Sequence, residues 1–172
     1  MKTLAEEKVK ESPTTEVRVR RATILDLKEL LELLEAHCLE WDAEGFPFDE
    51  AERMRFAAYV VGLLASPTAW ILAAMDGKTM VGCGVMELQS RPVGLPRLWM
   101  LGEAWYVRPS SRGQQVGRQL YGAGYQVAHA AGAEQFVVRV KPERQAVWER
   151  QGYQVATVEL RKAIAPERTP DG

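Results

Sequence analysis

Apolar residues along the chain fall into two spacings, steps of three to four residues and steps of two, and each change of spacing marks a predicted element. Ile24, Leu27, Leu31, Leu34, Cys38 and Trp41 recur at the helical step, which predicts a helix with one apolar face. Thr23, with Asp26 three residues on, gives that helix a capping-box-like start. A second helix is expected over 50–64, with Met54, Ala57, Ala58, Val61 and Leu64 inward and Ser66-Pro67 as its stop. Val17 to Arg20 reads as a first strand. Residues 69–75 and 80–88 read as two more, joined by the hairpin signal Asp76-Gly77-Lys78. A longer connection at Arg91 to Pro96, punctuated by Pro and Gly, leads to residues 98–107, which alternate as a strand does. One row there is Leu98, Met100, Gly102, Ala104 and Tyr106; the other is Trp99, Leu101, Glu103, Trp105 and Val107. Val116, Leu120, Ala123, Val127, Ala128 and Ala131 then return to the helical step until Gly132 stops it. A strand at 136–140, a short helix begun by Pro142 and a last strand at 154–162 complete a mixed α/β order with no repeat and no second domain.

Composition agrees with one compact domain. Of 172 residues, 47% are apolar and 26% charged, enough for a core that needs no disulfide staples. The domain is placed at 17–164, between a charged leader over 1–16, expected to be disordered, and a flexible tail over 165–172. The leader has no apolar run, so no signal peptide is expected and the protein is assigned to the cytoplasm. A net charge of −1 gives no long-range attraction to nucleic acid or anionic lipid, so neither is expected as a partner. Cys38 and Cys83 are too few for a disulfide framework and read as buried thiols. His37 and His129 lie far apart with no ligand at metal spacing, so no metal is expected. No Gly-x-Ser-x-Gly elbow supports a serine nucleophile.

The most specific local signal lies where the strand at 98–107 runs into the helix at 116, through Arg112-Gly113-Gln114-Gln115-Val116-Gly117-Arg118. First-turn amides of a helix have no partner within it, and the summed peptide dipoles put about half a positive charge at that end. Gly113 and Gly117 let the main chain approach a ligand closely, and Arg112 and Arg118 add fixed cations. This is how a chain holds a phosphate.

These residues resemble the signature of the GCN5-related N-acetyltransferase (GNAT) family, which is Arg or Gln, two free positions, Gly, one free position, then Gly or Ala. Arg112, Val116 and Gly117 fit it, as does the preceding Trp105-Tyr106-Val107-Arg108-Pro109. Gln115 departs from it at the middle glycine, with Gly113 as an extra glycine just before. Arg21 to Asp26 resembles the family's entry into its first helix, and the likeness extends over about residues 17 to 164. It implies an α/β (α+β) fold of GNAT type, with a mixed, mostly antiparallel sheet of about six to seven strands and about four helices. It also implies acetyl-CoA as cosubstrate. Trp105, Tyr106 and Val107 would offer backbone contacts to pantetheine, and Arg112, Gly113, Gln114, Gln115, Val116, Gly117 and Arg118 would hold the pyrophosphate.

The activity that the resemblance implies is direct transfer of an acetyl group to a primary amine. Glu103 is the candidate base, because it interrupts an apolar row beside Trp105 and Val107 where a carboxylate is poorly solvated. Its structural alternative is a cross-strand ion pair with an arginine. The position that the family commonly gives to a tyrosine acid is Trp148, and an indole cannot donate a proton to sulfur. Lys141 stands where many members have asparagine. Tyr106 and Tyr153 are the stand-in acids, and the Val107 amide is the candidate oxyanion donor.

The segment 37–52 contains acids and aromatics but no lysine or arginine, which suits a cationic amine such as a polyamine, an aminoglycoside or a peptide amine, with Glu40, Trp41, Glu44 and Phe46 as its contacts. A solvated acidic helix start over buried aromatics explains the same residues. Arg91 to Arg97 would form the opposite wall. The alternative function is a CoA-binding module impaired in catalysis, with a regulatory or partner-binding role. A longer acyl group and a homodimer paired through the late strands complete what the resemblance allows.

Overall fold

A computed structural model describes residues 17–41, 49–90, 98–150 and 152–155. The elements are β1 (Arg18–Arg21), α1 (Leu27–Trp41), α2 (Glu50–Ala65), β2 (Ala69–Asp76), β3 (Thr79–Ser90), β4 (Leu98–Val107), α3 (Val116–Ala130), β5 (Gln135–Val138) and α4 (Gln145–Glu149). Single 3-10 turns precede α1, α3 and α4. The described strands and helices begin and end within about three residues of their predicted bounds, α1 and α4 each starting as a 3-10 turn, because strong local signals set those bounds. Asp49 accepts from the amide of Glu52 at 2.7 Å to open α2, and Gly132, at a φ of 74°, closes α3. Of the expected last strand, residues 154 and 155 are irregular, and 156–162 lie outside the described residues. The described sheet accordingly has five strands rather than six or seven.

The described residues form two compact units that divide after Arg139. In the first, the sheet runs β1-β2-β3-β4-β5 in sequence order, antiparallel throughout except that β4 and β5 are parallel. The two-residue period of the strands sends alternate side chains to opposite faces. Ile71, Ala73, Cys83 and Val85 pack with Leu30, Leu33 and Leu34 of α1 and with Val60 and Leu63 of α2. Leu72, Ala74 and Met86 pack with Val116, Leu120 and Ala128 of α3. The second unit holds α4, closed by Gly152, whose amide donates to the Glu149 carbonyl at 2.9 Å.

Two inward faces differ from the expected ones. On α1 the buried residues are Leu30, Leu33 and Leu34; of the expected face, Leu34 is buried and Leu27 and Leu31 pack against the core, while Ile24, just before the helix, is 57% exposed. On α2 they are Val60 and Leu63, with Phe56 and Leu64 beside them, whereas Met54 is 67% exposed and Ala58 and Val61 are also exposed. Both helices carry apolar residues around more than one stripe, so spacing alone allows several faces, and the sheet selects among them.

The fourth strand differs more consequentially. Gly102 pairs with Met86 and Ala104 with Val85, so the register steps over Glu103. This β-bulge reverses the alternation. Met100 packs on the α3 face, while Ala104 and Tyr106, expected in the same row, pack on the α1–α2 face. The other row breaks at Glu103 itself, which no longer continues the line of Trp105 and Val107.

Candidate cofactor and active site

Between β4 and α3 the chain makes a compact turn with an unusual backbone. Gln115, at φ 62° and ψ 6°, is the N-cap of α3 and the one non-glycine residue with positive φ among the described residues. Gly113 is also positive, at 84°. A left-handed residue costs a side chain about 1 kcal/mol, which explains why the resembling signature has glycine at this point. Gln115→Gly is expected to stabilise the protein by up to about 1 kcal/mol, less the added entropy of the unfolded chain. Urea unfolding of the two proteins checks this.

The first helical hydrogen bond of α3 runs from the Gln119 amide to the Gln115 carbonyl at 3.0 Å, so the amides of Val116, Gly117 and Arg118 precede the ladder and point out of the helix end. A Cβ built on Gly117 would meet only Val107 Cγ2, at 3.8 Å, and one built on Gly113 meets nothing within 4 Å. Packing within the protein therefore does not require glycine at either place, and the outer side of the turn is open. Gln114 reaches back from its Nε2 to the Ser110 carbonyl at 3.4 Å. Arg118 is exposed on the first turn of α3.

Arg112 is directed elsewhere than expected. Its Nε donates to the Val107 carbonyl at 3.0 Å, and its Nη2 donates to both carboxylate oxygens of Glu40, at 2.6 and 2.8 Å. Its guanidinium carbon also lies 5.6 Å from the centroid of the Tyr106 ring. Two residues assigned to different ligands, Arg112 to cofactor and Glu40 to acceptor, thus meet each other. The pair ties the last turn of α1 to the phosphate turn.

Beside this turn the sheet opens. The β4–β5 ladder ends at Gly102 opposite Val138, whereas β4 continues to Val107. The Arg108 amide donates to the Val81 carbonyl on β3 at 2.9 Å. By alternation the main-chain groups of Tyr106 also face β3, and those of Trp105 and Val107 face the open side. Backbone contacts to a ligand on that edge would therefore come from Trp105 and Val107. The Trp105 ring is an anchor for the edge: Cβ atoms on Gly84, Gly102 and Gly124 would lie 2.6, 2.5 and 2.6 Å from it.

At the apex of the opening, Arg139 Nη1 and Glu103 Oε2 are 2.6 Å apart. The ion pair offered by the sequence as the alternative role of Glu103 is present. Burial raises the phenol of Tyr59 on α2 above its usual range, and Glu87 and Glu103 raise it further. Tyr106, a stand-in acid, is 7% exposed within the α1–α2 core, with the His37 ring edge-on at 6.3 Å. Trp41 lies beside His37 at 5.8 Å. Cys83 is fully buried and its thiol is pushed up to about 12. Cys38, expected buried, is only half-buried, because it lies off the Leu30–Leu34 face of α1; burial still raises its thiol.

In the second unit Tyr153 packs edge-on against Trp148 at 5.3 Å, and its amide donates to the Trp148 carbonyl at 3.2 Å. Glu44 and Phe46 lie outside the described residues, as do Arg91 to Arg97. Sequence reasoning did not single out Arg139, which the structure sets beside Glu103. Arg139 follows a parallel strand 36 residues from Glu103, and nothing in the spacing fixes that register. Among the described residues no group of three His, Cys, Asp or Glu could hold a metal ion, and no helix is long and apolar enough to cross a membrane.

A mixed sheet that parts beside a phosphate-type turn and helix defines the class of acetyl-CoA-dependent N-acetyltransferases. The chain belongs to the acetyltransferase (GNAT) family, which it matches over residues 28–153. No curated protein matches it. Its fold is similar to that of a transcriptional regulator from Bacillus halodurans C-125, with 17% identity, a TM-score of 0.73, and coverage of 87% of this chain and 100% of that one. The aminoglycoside N-acetyltransferase AAC(6')-Iy, solved with CoA, is similar at 15% identity and a TM-score of 0.70, over 88% of this chain and 96% of that one. An acetyltransferase from Trypanosoma brucei is similar at 18% identity and a TM-score of 0.66, over 87% and 100%.

Proposed function

We propose that the protein transfers an acetyl group from acetyl-CoA directly to a primary amine of a cationic small molecule or peptide. The observation that carries this reading is the end of β4 that extends past its ladder with β5 and runs into the left-handed cap of α3, which sets main-chain donors beside an anion-holding helix end. The amides of Val116, Gly117 and Arg118 bind the pyrophosphate, and the main chain of Trp105 aligns the pantetheine arm. Bound acetyl-CoA supplies the acyl group as a thioester, whose thiol ionises near about 8.5 and leaves with modest help.

Glu103 takes the proton from the attacking amine, directly or through one water, as the C–N bond forms and the C–S bond breaks. The Val107 amide donates to the acyl oxygen. Trp41 and the acidic segment that follows α1 receive the cation of the acceptor. Solved relatives bound to CoA or to the aminoglycoside sisomicin support an acceptor of this kind. Glu103→Gln is expected to lower kcat about a hundredfold and leave acetyl-CoA affinity unchanged. Thiol release with a panel of polyamines, aminoglycosides and amino-terminal peptides measures it. Unchanged kcat in the variant would remove Glu103 from the chemistry.

Trp148 and Lys141, at positions where the signature carries other chemistry, favour a second reading as a CoA-binding module without transfer. Absence of thiol release with every amine, despite firm cofactor binding, would decide for it.

A further inference from the structure

We infer that Arg139 is a positioning residue for the transfer, holding the Glu103 carboxylate at the point where β4 and β5 part. The inference rests on the reading of Glu103 as base. The last ladder pair is Gly102 with Val138, and the next residue on each strand is Glu103 and Arg139. Beyond the last backbone pairing the two strands thus stay linked through side chains, at 2.6 Å. Glu103 is also the residue that the β3–β4 register steps over. A bulge re-aims its side chain and removes the regular alternation that would otherwise fix it. The guanidinium of Arg139 supplies that direction, because its planar fork matches a carboxylate better than a point charge does. Glu103, together with Glu87 of β3, also acts on the Tyr59 phenol of α2 and raises it.

Both partners are partly exposed, with side-chain exposures of 48% for Arg139 and 24% for Glu103, and pairs in such settings add little to stability. A structural role and a positioning role therefore make different predictions. Arg139→Gln is expected to lower kcat about ten- to a hundredfold, as misplacement of a catalytic group does, with the unfolding midpoint and the calorimetric affinity for acetyl-CoA unchanged. Arg139→Lys, which keeps the charge but loses the fork, recovers part of the rate and carries the test should the glutamine variant fold poorly. The double variant Arg139→Gln, Glu103→Gln is expected to be no slower than Glu103→Gln alone, since the arginine acts only through the glutamate. Wild-type kcat in both Arg139 variants, or losses that multiply in the double variant, would overturn the inference while leaving Glu103 as base. Wild-type kcat in Glu103→Gln would overturn the base reading itself, and this inference with it.

Discussion

Gly117→Glu abolishes acetyl-CoA binding and leaves the fold intact. The loss expected is at least about a hundredfold in affinity, since setting like charges against each other in a binding site costs several kcal/mol and each 1.4 kcal/mol is a factor of ten. The substitution places a carboxylate among the first-turn amides of α3, where the proposed pyrophosphate lies. A Cβ at this position meets only Val107 Cγ2 at 3.8 Å, and the residue is exposed, so nothing inside the protein needs to move. Helix propensity also favours glutamate over glycine by several tenths of a kcal/mol, and a negative side chain at a helix N-terminus is favourable. Thermal unfolding is therefore expected at or slightly above the wild-type midpoint. A variant that binds acetyl-CoA as the parent does would move the cofactor away from this turn.

The second large effect concerns stability and comes from a glycine about two turns further along the same helix. Gly124→Val is expected to destabilise the protein by about 2 kcal/mol, which for a chain of this size lowers the melting midpoint by roughly 4–8 °C. A Cβ on Gly124 would lie 2.6 Å from Trp105 Cη2 and 2.9 Å from Met86 Sδ. The Trp105 ring has no easy retreat, because Gly84 and Gly102 already admit it at similar distances from their own built Cβ atoms. Helix α3 must then lift from the sheet, and the amides at its start shift with it, so cofactor affinity is expected to fall as well. Gly122 is the internal control. It stands two residues earlier, exposed, with nothing within 4 Å of its built Cβ, and Gly122→Ala is expected to stabilise by about 0.5–1 kcal/mol. Equal effects from the two substitutions would show that Trp105 does not set the seating of α3.

The order of elements was legible because each is announced locally: Gly132 stops α3, Ser66-Pro67 ends α2, and Asp76-Gly77-Lys78 turns β2 into β3. The departure at Gln115 was legible too, and the structure gives that residue a left-handed backbone, a conformation whose residue preference can be read without its surroundings. What stayed hidden depends on partners distant in sequence. The inward stripe of α2 is chosen by the sheet, and Met54, apolar and at the right step, ends up exposed. The bulge at Glu103 has no sequence signal of its own, because strict alternation through Leu98 to Val107 looks the same with or without it. Hence the row that seemed to hold Glu103, Trp105 and Val107 together was the natural inference and not the structure. Arg112 illustrates the same limit from the other side: its charge was legible, but its engagement with Glu40, 72 residues away, was not.

The central claim is that the turn from Arg112 to Arg118 and the open edge of β4 hold acetyl-CoA despite the glutamine at position 115. Calorimetric titration of the purified protein with acetyl-CoA tests it most directly. The account predicts one site per chain with a dissociation constant in the micromolar range, about −8 kcal/mol, and its loss in Gly117→Glu. No heat of binding at concentrations up to about a millimolar, where affinity is only about −4 kcal/mol, would contradict it and leave the fold of an acetyltransferase serving some other ligand.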